Sequence, residues 1–215
     1  MGERRRFPGD RRQPPPETRL LEPEVVRSLF GRLRMTSLLQ RFPERPLWAL
    51  FVFINAFISL CIMAAVGMEL HTPDIFPSLG PTAFLFFFTP SSPTASPRNT
   101  IFGHAIGLAC GYGMLLLFGL TTAPPATQVM GFHRLLAASL SLALTGGLMI
   151  LLKAAHPPAG ATTLIVSLGI VTKPFYLLVI EIAVIALTVQ AFVINRLAGL
   201  DYPLWAPRAP RPKTS

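Results

Sequence analysis

The chain has 215 residues, of which 51% are hydrophobic and only 13% charged, with a formal net charge of +9. Between positions 47 and 195 the charged side chains are Glu69, Asp74, Arg98, Arg134, Lys153, Lys173 and Glu181, too few to clothe a soluble domain, so the exterior of that stretch must face lipid. The positive charge does not point to nucleic acid: it sits in the tails, without interleaved aromatics or a folded basic domain, and reads as cytoplasmic flanks under the positive-inside rule.

Residues 1–46 form a basic tail. Its first part is rich in Arg and Pro (Arg4-Arg5-Arg6, Pro14-Pro15-Pro16) and offers too little apolar surface for burial, which predicts disorder. Over 25–42, Val25, Val26, Leu29, Phe30, Leu33, Leu38, Leu39 and Phe42 recur near helical spacing among Arg27, Arg32, Arg34 and Arg41. That pattern predicts a basic amphipathic helix, lying on an anionic membrane surface or packed as a cytoplasmic cap. No cleavable signal peptide is visible, since the first apolar run begins at Leu47. Glu3, Asp10, Glu17, Glu22 and Glu24 argue against an organellar transit peptide.

The membrane domain is read over 47–197. Long hydrophobic helices are predicted at 47–68, 99–120, 134–154 and 174–196, each near the roughly 20 residues that cross a hydrocarbon core of about 30 Å. Two shorter segments, 80–89 and 159–171, suit half-helices preceded by extended backbone. The resulting class is an all-α integral membrane protein with two repeats, 47–120 and 134–197, each a long helix, a short broken helix and a long helix. Between the break at 156–158 and Lys173 the chain has no slack to turn back, because about 13 helical residues advance about 20 Å and three extended ones about 10 Å. Six crossings follow, and three per repeat make the repeats inverted. Both termini are then cytoplasmic in the cell's inner (plasma) membrane, with Lys153 and Lys173 on opposite faces. Residues 198–215 form a basic C-terminal tail.

The breaks carry the functional signal. His156-Pro157-Pro158-Ala159-Gly160-Ala161-Thr162-Thr163 has a near-copy 80 positions earlier, Pro77-Ser78-Leu79-Gly80-Pro81-Thr82-Ala83, with Pro, Gly and Thr in register. Paired interruptions at matching points of two halves are a pointer to a transporter's substrate site. Two prolines remove backbone donors and stop the preceding helix, and Pro81 fits the first turn of the next one. The free amides of Ala159, Gly160 and Ala161 would present a positive helix N-terminus to a small anion. Gly80 and Gly160 would permit close approach, with Ser78, Thr82, Thr162 and Thr163 as hydroxyl donors beside them. The competing reading makes the same residues structural, with threonines bonding their own helix carbonyls.

His156 at the break could bond a substrate, relay a proton or satisfy a freed carbonyl. His104 lies in the second long helix. Glu181, in the last one, is an intramembrane carboxyl that calls for a partner, His104 or His156; a helix-tethering role is the alternative. Gly103, Gly107 and Gly111 form a small-xxx-small stripe and are read as packing. Cys61 and Cys110 behave as small hydrophobes. Neither a nucleophile–base constellation nor a metal cluster is visible, so no enzyme activity, cofactor or metal is expected.

At these residues the chain resembles the HPP family of integral membrane proteins. The resemblance covers roughly 45–197 and rests on Ser78-Leu79-Gly80-Pro81-Thr82-Ala83, Pro90-Ser91-Ser92-Pro93, Pro97-Arg98-Asn99, Gly103-His104, Gly107 and His156-Pro157-Pro158-Ala159-Gly160-Ala161-Thr162. The family is described with four transmembrane helices. Some bacterial members carry C-terminal CBS domains, which the short tail here is expected not to provide. Plant and cyanobacterial members are linked to nitrite transport, so the resemblance implies a permease for a small inorganic anion. The alternative class is a non-transporting membrane scaffold or sensor. The implied partners are that anion and the lipid bilayer, not nucleic acid, with homo-oligomerisation left open.

Overall fold

The computed structural model describes residues 34–69, 71 and 76–207. It is all-helical among those residues, with α1 Glu44–Glu69, α2 Phe76–Phe88, α3 Pro97–Leu117, α4 Phe132–Leu151, α5 Ala159–Ser167 and α6 Pro174–Leu197. Four of these, α1, α3, α4 and α6, are long and apolar enough to cross a membrane. α3 and α6 both open on a proline, Pro97 and Pro174, where the missing N–H costs no helical bond. α4 closes on Lys153, held at φ 52°, in the left-handed position a glycine would take without strain.

Polar contacts at the two ends give the path of each helix. At one end Arg98 donates to the Lys153 carbonyl at 2.8 Å, the Arg98 amide to Trp205 at 3.1 Å, and the Met35 amide to Ala198 at 2.8 Å. At the other end Arg134 donates to the Pro124 carbonyl at 2.7 Å, and the Ala126 amide to Leu168 at 2.9 Å. α5 therefore leaves the Lys153 end and arrives beside the start of α4, and Lys173 lies opposite Lys153. Phe51 meets Phe87 at 6.2 Å between ring centroids, which brings the early part of α1 to the last turn of α2. These contacts set the direction of each helix between the two ends, α1 and α2 included.

The outer surface is apolar. Phe53, Leu117, Ile150, Leu151 and Phe175 are each at least two-thirds exposed, an arrangement that only lipid solvates well. Inside lie Leu79, Phe86, Phe87, Leu115, Val166, Ile180, Leu187 and Tyr202. Glycines on α3 admit the broken segment at close range. A Cβ on Gly103 would sit 2.6 Å from the His156 Cβ, one on Gly107 would sit 2.9 Å from the Ala159 carbonyl oxygen, and one on Gly111 would sit 2.9 Å from that of Thr163. α5 runs parallel to α3 along this stripe, which is the packing role read from the spacing.

Three expectations need correction. First, Pro81 does not open the first short helix: α2 begins at Phe76 and runs through Pro81. The residue before a proline normally leaves helical geometry because its Cβ meets the proline ring, and Gly80 has no Cβ to clash. Second, of the predicted 25–42 helix, residues 25–33 lie outside the described residues. The remainder is one helical turn, Met35–Leu38, whose Met35 is buried at the α6 terminus. Third, the helix after the HPP break stops at Ser167 rather than 171, turning at Gly169 with φ 77°.

Candidate functional site

Two histidines and two threonines, drawn from four different segments, meet inside the bundle. His104 sits on α3, about 10 Å along it from the Lys153 end. His156 stands at the break between α4 and α5. Thr82 comes from α2 and Thr162 from α5, and all four residues are fully buried. The rings lie 5.0 Å apart between centroids.

The hydrogen bonds run in one chain. His156 Nδ1 is 2.7 Å from the Thr94 carbonyl, which only accepts, so this nitrogen carries the proton. With His156 neutral, its Nε2 is an acceptor, and the Thr82 hydroxyl 3.3 Å away donates to it. The Thr82 oxygen in turn accepts from His104 Nε2 at 2.9 Å. His104 Nδ1 is then left to accept from the Thr162 hydroxyl at 2.8 Å. Thr100 adds a contact at 3.3 Å to His156 Nδ1. Tautomers at both rings follow from a single carbonyl.

A second polar layer holds this chain in place. Asn99 Nδ2 donates to the carbonyls of Pro93 and Ala155 at 3.1 and 3.3 Å, tying the turn before α3 to the HPP break. The Tyr202 hydroxyl donates to the Ala95 carbonyl at 2.6 Å. Burial pushes the Tyr202 phenol above its ordinary range, so it stays protonated and remains a donor. Asn195 Nδ2 donates to the Phe86 carbonyl at 3.1 Å and fixes α6 to α2.

The residues singled out from sequence divide accordingly. Thr82, His104, His156 and Thr162 come together. Thr163 does not face them: its hydroxyl donates to its own helix at Ala159, 3.1 Å away, and meets Thr145 at 3.1 Å. Gly160 faces α4, where a Cβ would meet the end of Leu142 at 3.2 Å, while Gly80 has open space around it. The side chain of Ser78 lies outside the described residues. Glu181 is not paired with either histidine. Both its carboxylate oxygens are buried without a hydrogen-bond partner among the described residues, because it sits two turns from the Lys173 end of α6 whereas the histidines sit toward the other end.

The expected row of free amides is also absent. The amides of Ala159, Gly160 and Ala161 donate to the carbonyls of His156, Pro157 and Pro158 at 3.0, 3.0 and 3.1 Å. Pro157 and Pro158 have no amide to offer, and the residues after them coil tightly back onto the carbonyls just passed. The polar face of the break is therefore made of side chains. Thr94 and Thr100 escaped the sequence reading, since nothing local marks a residue that meets its partner 62 or 56 positions away.

A lipid-facing helical bundle with a buried polar centre at two helix breaks defines a polytopic α-helical membrane protein. The model of the HPP transmembrane region matches residues 43–203, and the chain belongs to that family. It is also similar to two transmembrane proteins of Dictyostelium discoideum. One is 30% identical over 71% of this chain and 49% of its own length. The other is 26% identical over 72% of this chain and 54% of its own. The chain thus spans about half the length of these relatives. No solved structure matches.

Proposed function

We propose that this domain is a permease for a small inorganic anion, with nitrite as the first candidate, and that Thr82, His104, His156 and Thr162 form its substrate site. The observation that carries the proposal is the meeting of the halves. Each broken segment sends one threonine to the same imidazole, Thr82 at 2.9 Å and Thr162 at 2.8 Å. Buried polar groups inside a membrane bundle are costly, and they concentrate where substrates pass. Hydroxyl and ring N–H donors suit an anion, and nitrite follows from the family resemblance.

The halves act in this proposal as inverted repeats. Each principal helix contact has its counterpart when α1, α2 and α3 are exchanged for α4, α5 and α6. α1 packs on α2 as α4 on α5, α3 on α5 as α6 on α2, and α3 on α4 as α6 on α1. In the inner (plasma) membrane the Lys153 end, where Met35 and Trp205 lie, is the cytoplasmic one. Rocking of the halves would open the site alternately.

One observation favours a non-transporting scaffold or sensor instead: the cluster is fully enclosed and its hydrogen bonds are internally satisfied. Uptake into proteoliposomes of purified protein, across nitrite, nitrate, formate and chloride, decides between the two. Saturable flux of at least one anion above protein-free vesicles is expected. Folded protein that moves none of them returns the domain to the scaffold class.

A further inference from the structure

The polar chain has an unusual property: it is closed. It has four links, Thr94 to His156, His156 to Thr82, Thr82 to His104 and His104 to Thr162. Two neutral imidazoles and two hydroxyls supply four hydrogens, one for each link. Within these four links no donor is left over for a ligand; the Thr100 hydroxyl, whose oxygen lies 3.3 Å from the protonated His156 Nδ1, stands outside them.

One more proton changes this. A proton on His156 Nε2 makes that nitrogen a donor to Thr82. The Thr82 oxygen then accepts from both rings, and its own hydrogen must turn elsewhere. A proton on His104 Nδ1 does the same to the Thr162 hydroxyl. Either way the cluster gains one outward-turned hydroxyl and one positive charge, both in a water-poor interior where an unpaired charge is very costly. A monovalent anion satisfies both at once.

Neighbouring charges do not meet that need. α2 contributes Thr82 and Phe86, the turn before α3 contributes Thr94, and α5 contributes Thr162. Arg98 on α3 is turned outward onto the Lys153 and Leu152 carbonyls, and from the C-terminal segment Tyr202 is spent on Ala95. Lys153 after α4 is exposed at the bundle's end. Glu181 on α6 makes no bond to either ring, and on the far part of α4 Arg134 is bound to the 123–124 loop.

Resting on the permease reading, we propose that the His104–Thr82–His156–Thr162 chain binds one proton together with one monovalent anion, so that transport is electroneutral proton–anion symport. The closed chain of the empty site excludes anions, and the protonated chain admits them. An uncoupled leak of either species is thereby suppressed.

The test uses the full chain in proteoliposomes holding a pH-sensitive dye, with membrane potential clamped at zero and nitrite added outside. Leak of nitrous acid through protein-free vesicles is subtracted, and nitrate, whose acid is too strong to leak as a neutral molecule, serves as second probe. Internal acidification is expected to accompany uptake at one proton per anion, and clamping other voltages should leave the rate unchanged. His104→Gln and His156→Gln combined keep hydrogen-bonding ends at both positions but leave no ring for the added proton, so uptake by the double variant should lose its response to an imposed pH gradient. Thr82→Val should lose at least tenfold in coupled flux, whereas Thr82→Ser, which keeps the hydroxyl and the fold, should retain it. Voltage-driven anion flux without acidification overturns the symport and leaves the permease standing. Absence of any anion flux from folded protein overturns both.

Discussion

Gly103→Ala offers the sharpest test of how the HPP break is seated. The added Cβ would lie 2.6 Å from the His156 Cβ, whereas carbon atoms rest at about 3.5–4.0 Å, so the break must retreat by about 1 Å. Overpacking of this kind costs about 1–3 kcal/mol. The retreat also pulls His156 from the Thr94 carbonyl, now 2.7 Å away, and leaving that buried pair unmade costs about 1–3 kcal/mol more. Replacing glycine by alanine inside a helix returns about 1 kcal/mol, for a net loss of about 3 kcal/mol. At about 2–4 °C per kcal/mol for a chain of this size, the melting temperature should fall by about 6–12 °C. Gly113→Ala on the same helix is the control, because a Cβ there meets nothing within 4 Å, and it should melt a few degrees higher than the parent. Intrinsic-fluorescence melts of the two variants in the same detergent make the comparison. Equal melting temperatures for Gly103→Ala and Gly113→Ala would refute the close seating of the break on α3.

Two further outcomes follow from the path of the chain and from the buried Glu181 carboxyl. Single cysteines placed at 153 and 173, both exposed positions, should react with an impermeant thiol reagent from opposite sides of sealed vesicles, and labelling of both from one side would restore a re-entrant α5. Glu181→Leu should raise stability by on the order of 1 kcal/mol in the same melts, because it removes a carboxyl whose oxygens are buried and unpartnered. A drop in stability would refute the reading that the Glu181 carboxyl is unpartnered.

Much of the architecture was legible in the sequence. Spans of about 20 apolar residues read as membrane helices when so few charged side chains lie between the two tails. The glycine stripe at 103, 107 and 111 announced close packing, and the prolines at 157 and 158 announced a break, because these effects are local to a few residues of backbone. The lack of slack between the break and Lys173 likewise foretold that α5 travels from one end of the bundle to the other.

What the tertiary structure decided is which groups meet and which are already satisfied. Thr82 and Thr162 converge on His104 from 22 and 58 positions away, a juxtaposition set by packing α5 against both α2 and α3. Neither Pro81's place inside α2 nor the engagement of the Ala159, Gly160 and Ala161 amides could be read from residue types. Both depend on the particular φ and ψ taken around each proline, where a glycine in front or a second proline behind changes the outcome. Glu181 had a plausible partner in sequence and none among the described residues, since it lies near the Lys173 end of the bundle and the two histidines lie toward the other. Hydropathy and proline chemistry act along the chain, so a sequence states them directly. Hydrogen-bond partners across a bundle depend on how helices cross, and only the folded chain supplies that.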